Sequence, residues 1–280
     1  MNKSHCFQKI FLTMFLALIY FTCISLAADN FKTADYLSEE IEYINDKDFQ
    51  KILRFKTAEI YQLYAHNNDG EKAAEALIKA GRLYLKGSDD ESLAGGFVCL
   101  ATLLKNFESS AFVPEGMLLI GEIYARKKEY GRAVKTWIEC AEKYPKTSEI
   151  AAQALLKAGE TFKKSIKNKT EAEKQYSRII TNYFSSKVTA QALMNRAEIY
   201  AENDKYDLAV NDYLRIAREI SGSETADTAM YEAIDIMENK IKDYKKAYEL
   251  VMEFKQKFPN SAHLKKIERA EARLVKYANN

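Results

Sequence analysis

Catalysis needs acids, bases and nucleophiles gathered within bonding distance, and this sequence offers few of them. Beyond the first 27 residues the only imidazoles are His66 and His263. His66 sits beside Asn67-Asn68 at an expected helix end and His263 in the closing helix. At that separation surface or capping roles are expected, not metal ligation or a triad base. There is no Gly-rich phosphate loop, no Gly-x-Ser-x-Gly and no His-Glu-x-x-His. Gly95-Gly96 is accounted for by close helix packing, and Asp89-Asp90 and Glu39-Glu40 by turns and wet helix faces. The residues therefore predict a binding protein with no catalytic, cofactor or metal site. What remains is a row of glutamates, Glu122, Glu160 and Glu198, spaced by 38 residues. Recurring carboxylates on one face would attract a basic partner.

That spacing belongs to a pattern that runs through the chain. Gly81, Gly121, Gly159, Ala197 and Ala233 occupy one slot, and Tyr84, Tyr124, Phe162, Tyr200 and Ile236 follow three residues later. A second series is Gly96, Ala133, Ala172, Ala209 and Ala247, each followed eleven residues on by Phe107, Tyr144, Tyr183, Ile220 and Phe258. Two series with one period predict an array of helical hairpins. Small residues would let the paired helices approach, Gly121 against Ala133 and Ala197 against Ala209. Trp137 lies in a slot shared with Leu100, Tyr176, Tyr213 and Val251, so it reads as core.

Helices are predicted over 34–44 and 48–66, and then in pairs: 71–86 with 91–107, 114–126 with 130–144, 149–166 with 170–183, 187–202 with 206–220, and 224–240 with 243–258. A polar helix from Ser261 closes the array. Pro114 fits a first helical turn, and Ser148, Thr170 and Ser261 are the expected N-caps. Pro145 and Pro259 end their helices.

Bulk composition agrees. The chain has 280 residues, 47% hydrophobic and 29% charged, with 10 Gly and 3 Pro. Such a chain can bury a large core and is not loop-rich or all-β. The formal charge is +2, and residues 1–27 carry Lys3 and Lys9 but no acid, so the remainder is neutral. Nucleic-acid binding, which relies on a basic surface, gains no support. Residues 1–27 read as a signal peptide: a basic start, an apolar run from Ile10 to Phe21, and Ser25 and Ala27 placed for cleavage before Ala28. An uncleaved anchor is the alternative. Cys23 lacks a convincing lipobox around it. Cleavage would leave Cys99 and Cys140, whose places in successive second helices put them too far apart for a disulfide. Both are expected to be buried thiols.

The Gly/Ala at the eighth slot, the Tyr three later, the Ala opening the second helix and the Pro closing it resemble the tetratricopeptide repeat superfamily over residues 71–260. Tyr-Pro-Lys-Thr-Ser at 144–148 and Phe-Pro-Asn-Ser-Ala at 258–262 are similar to a bacterial envelope subgroup. That subgroup includes the Tol–Pal coordinator protein and the repeat lipoprotein of outer-membrane β-barrel assembly. The resemblance implies an all-α, right-handed α-solenoid with a C-terminal capping helix. Its expected divisions are a signal peptide (1–27), a lead-in and divergent hairpin (28–66), the repeat array (67–260) and the cap (261–280). It implies a non-enzymatic periplasmic or secreted scaffold whose partners are envelope proteins or peptides. The alternative is an outer-membrane-associated assembly factor of a β-barrel insertion machine. In such repeats the first helices line the concave face. Arg82, Glu122, Glu160, Glu198 and Ile234, each following a small slot, would then project inward, with Glu115, Gln153 and Gln191 as a second set. Glutamate's helix propensity is the competing account of the row.

Overall fold

A computed structural model describes residues 30–220 and 222–277. The expected signal segment and the last three residues of the expected cap lie outside the described residues. The architecture is an all-α solenoid of helical hairpins, as expected. The helices are α1 (Asn30–Glu40, extended by a 3-10 turn over Ile41–Tyr43), α2 (Lys47–Asn67), α3 (Gly70–Leu85), α4 (Asp90–Asn106), α5 (Val113–Arg126), α6 (Tyr130–Lys143) and α7 (Ser148–Thr161). They continue as α8 (Lys169–Asn182), α9 (Thr189–Glu202), α10 (Tyr206–Glu219), α11 (Ala226–Ile236), α12 (Tyr244–Lys257) and α13 (Leu264–Leu274). The chain divides into two compact units, one up to Thr136 and one from Trp137.

In the first unit α1 and α2 form the N-terminal hairpin. Phe31 packs edge-on against Tyr61 and Tyr64. The ammonium groups of Lys72 and Lys79 lie over its ring. Asp35 accepts from the Tyr61 hydroxyl and from Lys79 Nζ at 2.7 Å. The α3/α4 pair follows, with Ala73, Ala76, Ala80, Leu100 and Leu103 all fully buried. Alanine-rich α3 is buried on most of its circumference, so propensity and packing agree.

Small slots meet in the first pair, where a Cβ on Gly96 would lie 3.6 Å from the Gly81 carbonyl oxygen, and they also make room for larger side chains. A Cβ on Gly81 would lie 2.7 Å from Leu100 Cδ2, and one on Gly159 2.5 Å from Tyr176 Cε1. Gly81 and Gly159 each receive a bulky side chain from the second helix, four residues past that helix's own small position. Trp137 is in the same row and is buried, 3% exposed, as expected of a core residue.

The second unit corrects the register of the fifth repeat. α7 and α11 each run into a π-helical turn, Phe162–Ile166 and Met237–Ile241, and each turn ends on a left-handed lysine, Lys167 and Lys242, both at φ 63°. Matching the two turns places Ile234, not Ala233, opposite Gly159. The amino ends agree, because Thr189, Ala192, Leu193 and Ala197 of α9 correspond in burial to Ala226, Ala229, Met230 and Ile234 of α11. The residue after the slot is therefore Asp235, and the residue three after it is Met237 in place of Ile236. The π turn inserts one residue, so slot-to-slot spacing within a repeat is 13 residues at Gly159–Ala172 and Ile234–Ala247, against 12 at Ala197–Ala209.

The expected caps also move. The α8 cap is Asn168, whose Oδ1 accepts from Glu171 N at 3.1 Å, and not Thr170. Ser148 is already inside α7, and the Thr147 before it makes no side-chain cap bond. Ser261 lies ahead of α13 in a turn that recurs. Ser110, Ser186 and Ser261 each donate a backbone N–H to the closing aromatic three residues earlier. Each hydroxyl oxygen accepts the N–H two residues on. Each hydroxyl donates to an acid in the first turn of the preceding repeat's first helix: Ser110 to Glu71 at 3.0 Å, Ser186 to Glu149 at 2.9 Å, Ser261 to Asp227 at 2.6 Å. The closing serine thus staples each of these repeats to the one before.

Terminal α13 follows the same register. Ile267, Ala270 and Leu274 are buried. Where earlier first helices bury Leu77, Leu155, Leu193 or Met230, α13 places exposed Glu268. A charge there suits a helix face that no further described helix covers.

Candidate functional site

Each first helix turns one recurring residue outward immediately after its buried slot. In the first unit these are Arg82 on α3 and Glu122 on α5. In the second they are Glu160 on α7, Glu198 on α9 and Asp235 on α11. Arg82 and Glu198 are exposed, and Glu122, Glu160 and Asp235 are half-buried. Buried Ile234 leaves the row that the sequence had placed it in.

None of the three glutamates faces solvent alone. Arg82 grips Glu115 in a two-pronged bond, Nε to Oε1 at 2.6 Å. Glu122 pairs with Arg126, which also donates to the carbonyls of Leu85 (2.7 Å) and Gly87 (2.9 Å) in the preceding repeat. Glu160 lies 4.0 Å from Lys164, and Glu198 accepts from Lys163. Gln153 donates to Glu149, and Gln191 to Asn195, both at 3.2 Å. Within each unit these residues therefore make a mixed-charge surface whose glutamates are held by nearby cations. Exposed pairs of this kind are worth about 0–1 kcal/mol each, so an incoming cation can replace the internal one at small cost.

Asp235 accepts from the neutral amide of Asn239 at 2.8 Å and also feels the Arg273 guanidinium, which Glu238 holds. One turn back, Glu232 is partly buried, and burial raises its carboxyl above the usual range. The charges of Asp235 and Glu198 push the same way, against His263 and Lys266. Tyr176, wholly buried, has its phenol pushed up by burial and then by Glu160 and Glu198. Glu198, Glu232 and Asp235 thus act on one another between α9 and α11, with His263 and Lys266 opposing them.

Two polar features of the second unit escaped sequence reasoning. Arg196 of α9 and Asp212 of α10 form a bidentate pair, both bonds 2.7 Å, and Arg196 also donates to Ser177 Oγ at 2.9 Å. His263 stacks on Tyr231 with ring centroids 4.7 Å apart and meets Thr228 Oγ1 at 3.2 Å. That places His263 in a packing role. His66 lies on the wall of a cleft in the first unit. Cys99 and Cys140 are buried thiols; burial raises them to about 12 and about 11, far from the reactive thiolate range. Among the described residues no group of three or more His, Cys, Asp or Glu is placed to hold a metal.

Repeated hairpins that bury their slots and turn the next residue outward define an α-helical repeat protein. Tetratricopeptide repeat models match residues 115–147, covering α5 and α6, and residues 167–224, covering α8 to α10, so these segments are similar to that family. No curated protein matches. Among solved structures, the assembly chaperone of RpL4 (Acl4, residues 1–338) is similar at 12% identity and a TM-score of 0.45, over 91% of this chain and 98% of that one. A chain from the computational design of self-assembling cyclic protein homooligomers is similar at 16% identity and a TM-score of 0.19, over 94% and 95%. Both scores fall below one half.

Proposed function

We propose that this protein is a non-enzymatic, exported scaffold that binds partner proteins of the bacterial cell envelope through the outward row of its first helices. The signal-like residues 1–27 support export, and the Tyr-Pro-Lys-Thr-Ser type closing turns support the envelope setting. The observation that carries the binding reading is the corrected row Glu160, Glu198 and Asp235. One acid stands in the same place on three successive first helices, beside the half-buried Glu232. A partner segment bearing Lys or Arg meets that row in register, and a guanidinium supplies the paired donors a carboxylate accepts best.

The test is in cells. Peptide mapping of the exported protein should find Ala28 as its first residue. Cross-linking through a C-terminal tag should recover a small set of envelope proteins. Glu160→Lys, Glu198→Lys and Asp235→Lys together should abolish that recovery while the helical signal stays unchanged. Equal recovery by the triple variant sinks the row as the binding surface. Retention of the protein in the cytoplasm sinks the envelope role.

A further inference from the structure

The first unit holds a second feature that the binding row does not use. A cleft of about 620 Å³ opens beside α2 and α4, with Leu77 and Cys99 at its buried base. That volume lies within the roughly 300–1,000 Å³ typical of small-molecule sites. Its walls carry Gln62, His66, Asn68, Asp69, Asn106 and Phe107. No lysine or arginine lines it among the described residues.

The hydrogen bonds already made decide what those walls offer. Gln62 uses one amide N–H on Cys99 Sγ at 2.8 Å, and Asn68 one of its own on the Tyr64 carbonyl at 2.8 Å. The Thr102 hydroxyl donates to Val98 O, also at 2.8 Å. Asp69 precedes α3 but its side chain caps nothing. The groups left over are the carbonyl oxygens of Gln62 and Asn68 and the carboxylate of Asp69 as acceptors, one N–H on each of those two amides, the His66 ring and the amide of Asn106. A complementary ligand carries donors and acceptors together, as hydroxyl groups do. It carries no negative charge, because Asp69 would repel one and no lysine or arginine lines the walls to hold it. It also has an apolar face to lie against Phe107 and Leu77.

We infer that this cleft is a binding site for a neutral sugar of one or two pyranose rings. Ring hydroxyls supply donors to the two amide oxygens and to Asp69. The C–H face of the ring covers Phe107. A free saccharide and a glycan on a larger molecule present the same chemistry.

The experiment is saturation-transfer and amide-shift NMR on the exported form, titrated with N,N′-diacetylchitobiose, maltose and spermidine. At least one disaccharide should bind saturably and shift amides in 62–69 and 99–107. Asn106→Leu, on the exposed end of α4, should weaken it at least tenfold with the melting temperature unchanged. Asp69→Asn should weaken it without abolishing it, since the amide retains one acceptor. If the free disaccharides bind only weakly, a biotinylated chitin-oligosaccharide surface that retains wild type but not Asn106→Leu assigns the site to a larger glycan. Absence of binding to any saccharide or to that surface overturns the inference. So does spermidine binding more tightly than both sugars, or sugar binding that Asn106→Leu leaves intact.

Discussion

Arg196 and Asp212 face each other across the α9/α10 hairpin, with two parallel 2.7 Å bonds joining guanidinium to carboxylate. The Asp212 side chain is 2% exposed and that of Arg196 14%. Removing one partner strands a charge in the core, which typically costs about 3–5 kcal/mol. Asp212→Ala should therefore lower the urea midpoint sharply. The double change Arg196→Met with Asp212→Leu should recover most of the loss, because an apolar pair of similar volume is often neutral or better. If the double variant is no more stable than Asp212→Ala, the pair is not what the hairpin depends on.

Gly159 and Gly131 should respond oppositely to alanine. A Cβ at 159 meets the Tyr176 ring at 2.5 Å, and that ring is fully buried and has no room to withdraw. Gly159→Ala should destabilise by about 1–3 kcal/mol, the usual cost of overpacking. At Gly131, near the start of α6, a Cβ meets nothing within 4 Å. Gly131→Ala should gain about 0.5–1 kcal/mol from the unfolded chain's lost freedom. Thermal melts of the two variants beside wild type read both signs.

The helices and their pairing were legible because burial imposes a 3.6-residue rhythm and a repeat states it several times. α5, α9 and α12 begin and end within two residues of their expected ends. The fifth repeat was misread because Ala233 and Ile234 are adjacent and the sequence-level rule preferred the smaller residue. The π turn that shifts the register leaves no mark in composition. Arg196–Asp212 stayed hidden for another reason. Sixteen residues separate the pair, and only the fold shows that their helix faces meet. Of the expected partner-binding residues, Glu160 and Glu198 keep their shared position within the second unit. Their lysine partners were unforeseen, because Lys163 reaches from one repeat to Glu198 of the next.

Glu232 should make stability fall as pH rises. Its carboxyl lies above the ordinary value in the folded protein, from burial first and Asp235 second. The folded state thus binds this proton more tightly than the unfolded chain. Glu232's favourable contribution is fully present below the unfolded value, near 4.5, and disappears as pH climbs through the folded one. Glu232→Gln should be more stable than wild type at pH 7.5, and the gap should close towards pH 4. Urea midpoints at both pH values decide it; a gap that is unchanged between them shows the effect is not ionisation.

Ile234 and Val251 make a size exchange that the other repeats make in reverse. Elsewhere a glycine receives a large second-helix side chain, Gly81 taking Leu100 and Gly159 taking Tyr176. In the fifth repeat the slot is filled by Ile234, and the corresponding second-helix position holds Val251. Both are buried, 1% and 0% exposed. Val251→Tyr alone should overpack and cost about 1–3 kcal/mol. Ile234→Ala alone should leave a cavity and cost about 2–5 kcal/mol. Combined, the two give the slot residues of the fourth repeat, Ala197 with Tyr213, and the double variant should lose less than the sum of the singles. A coupling energy of about 0.5–3 kcal/mol is typical of residues in contact. Strict additivity in a denaturation cycle would instead separate the two side chains and return the slot to Ala233.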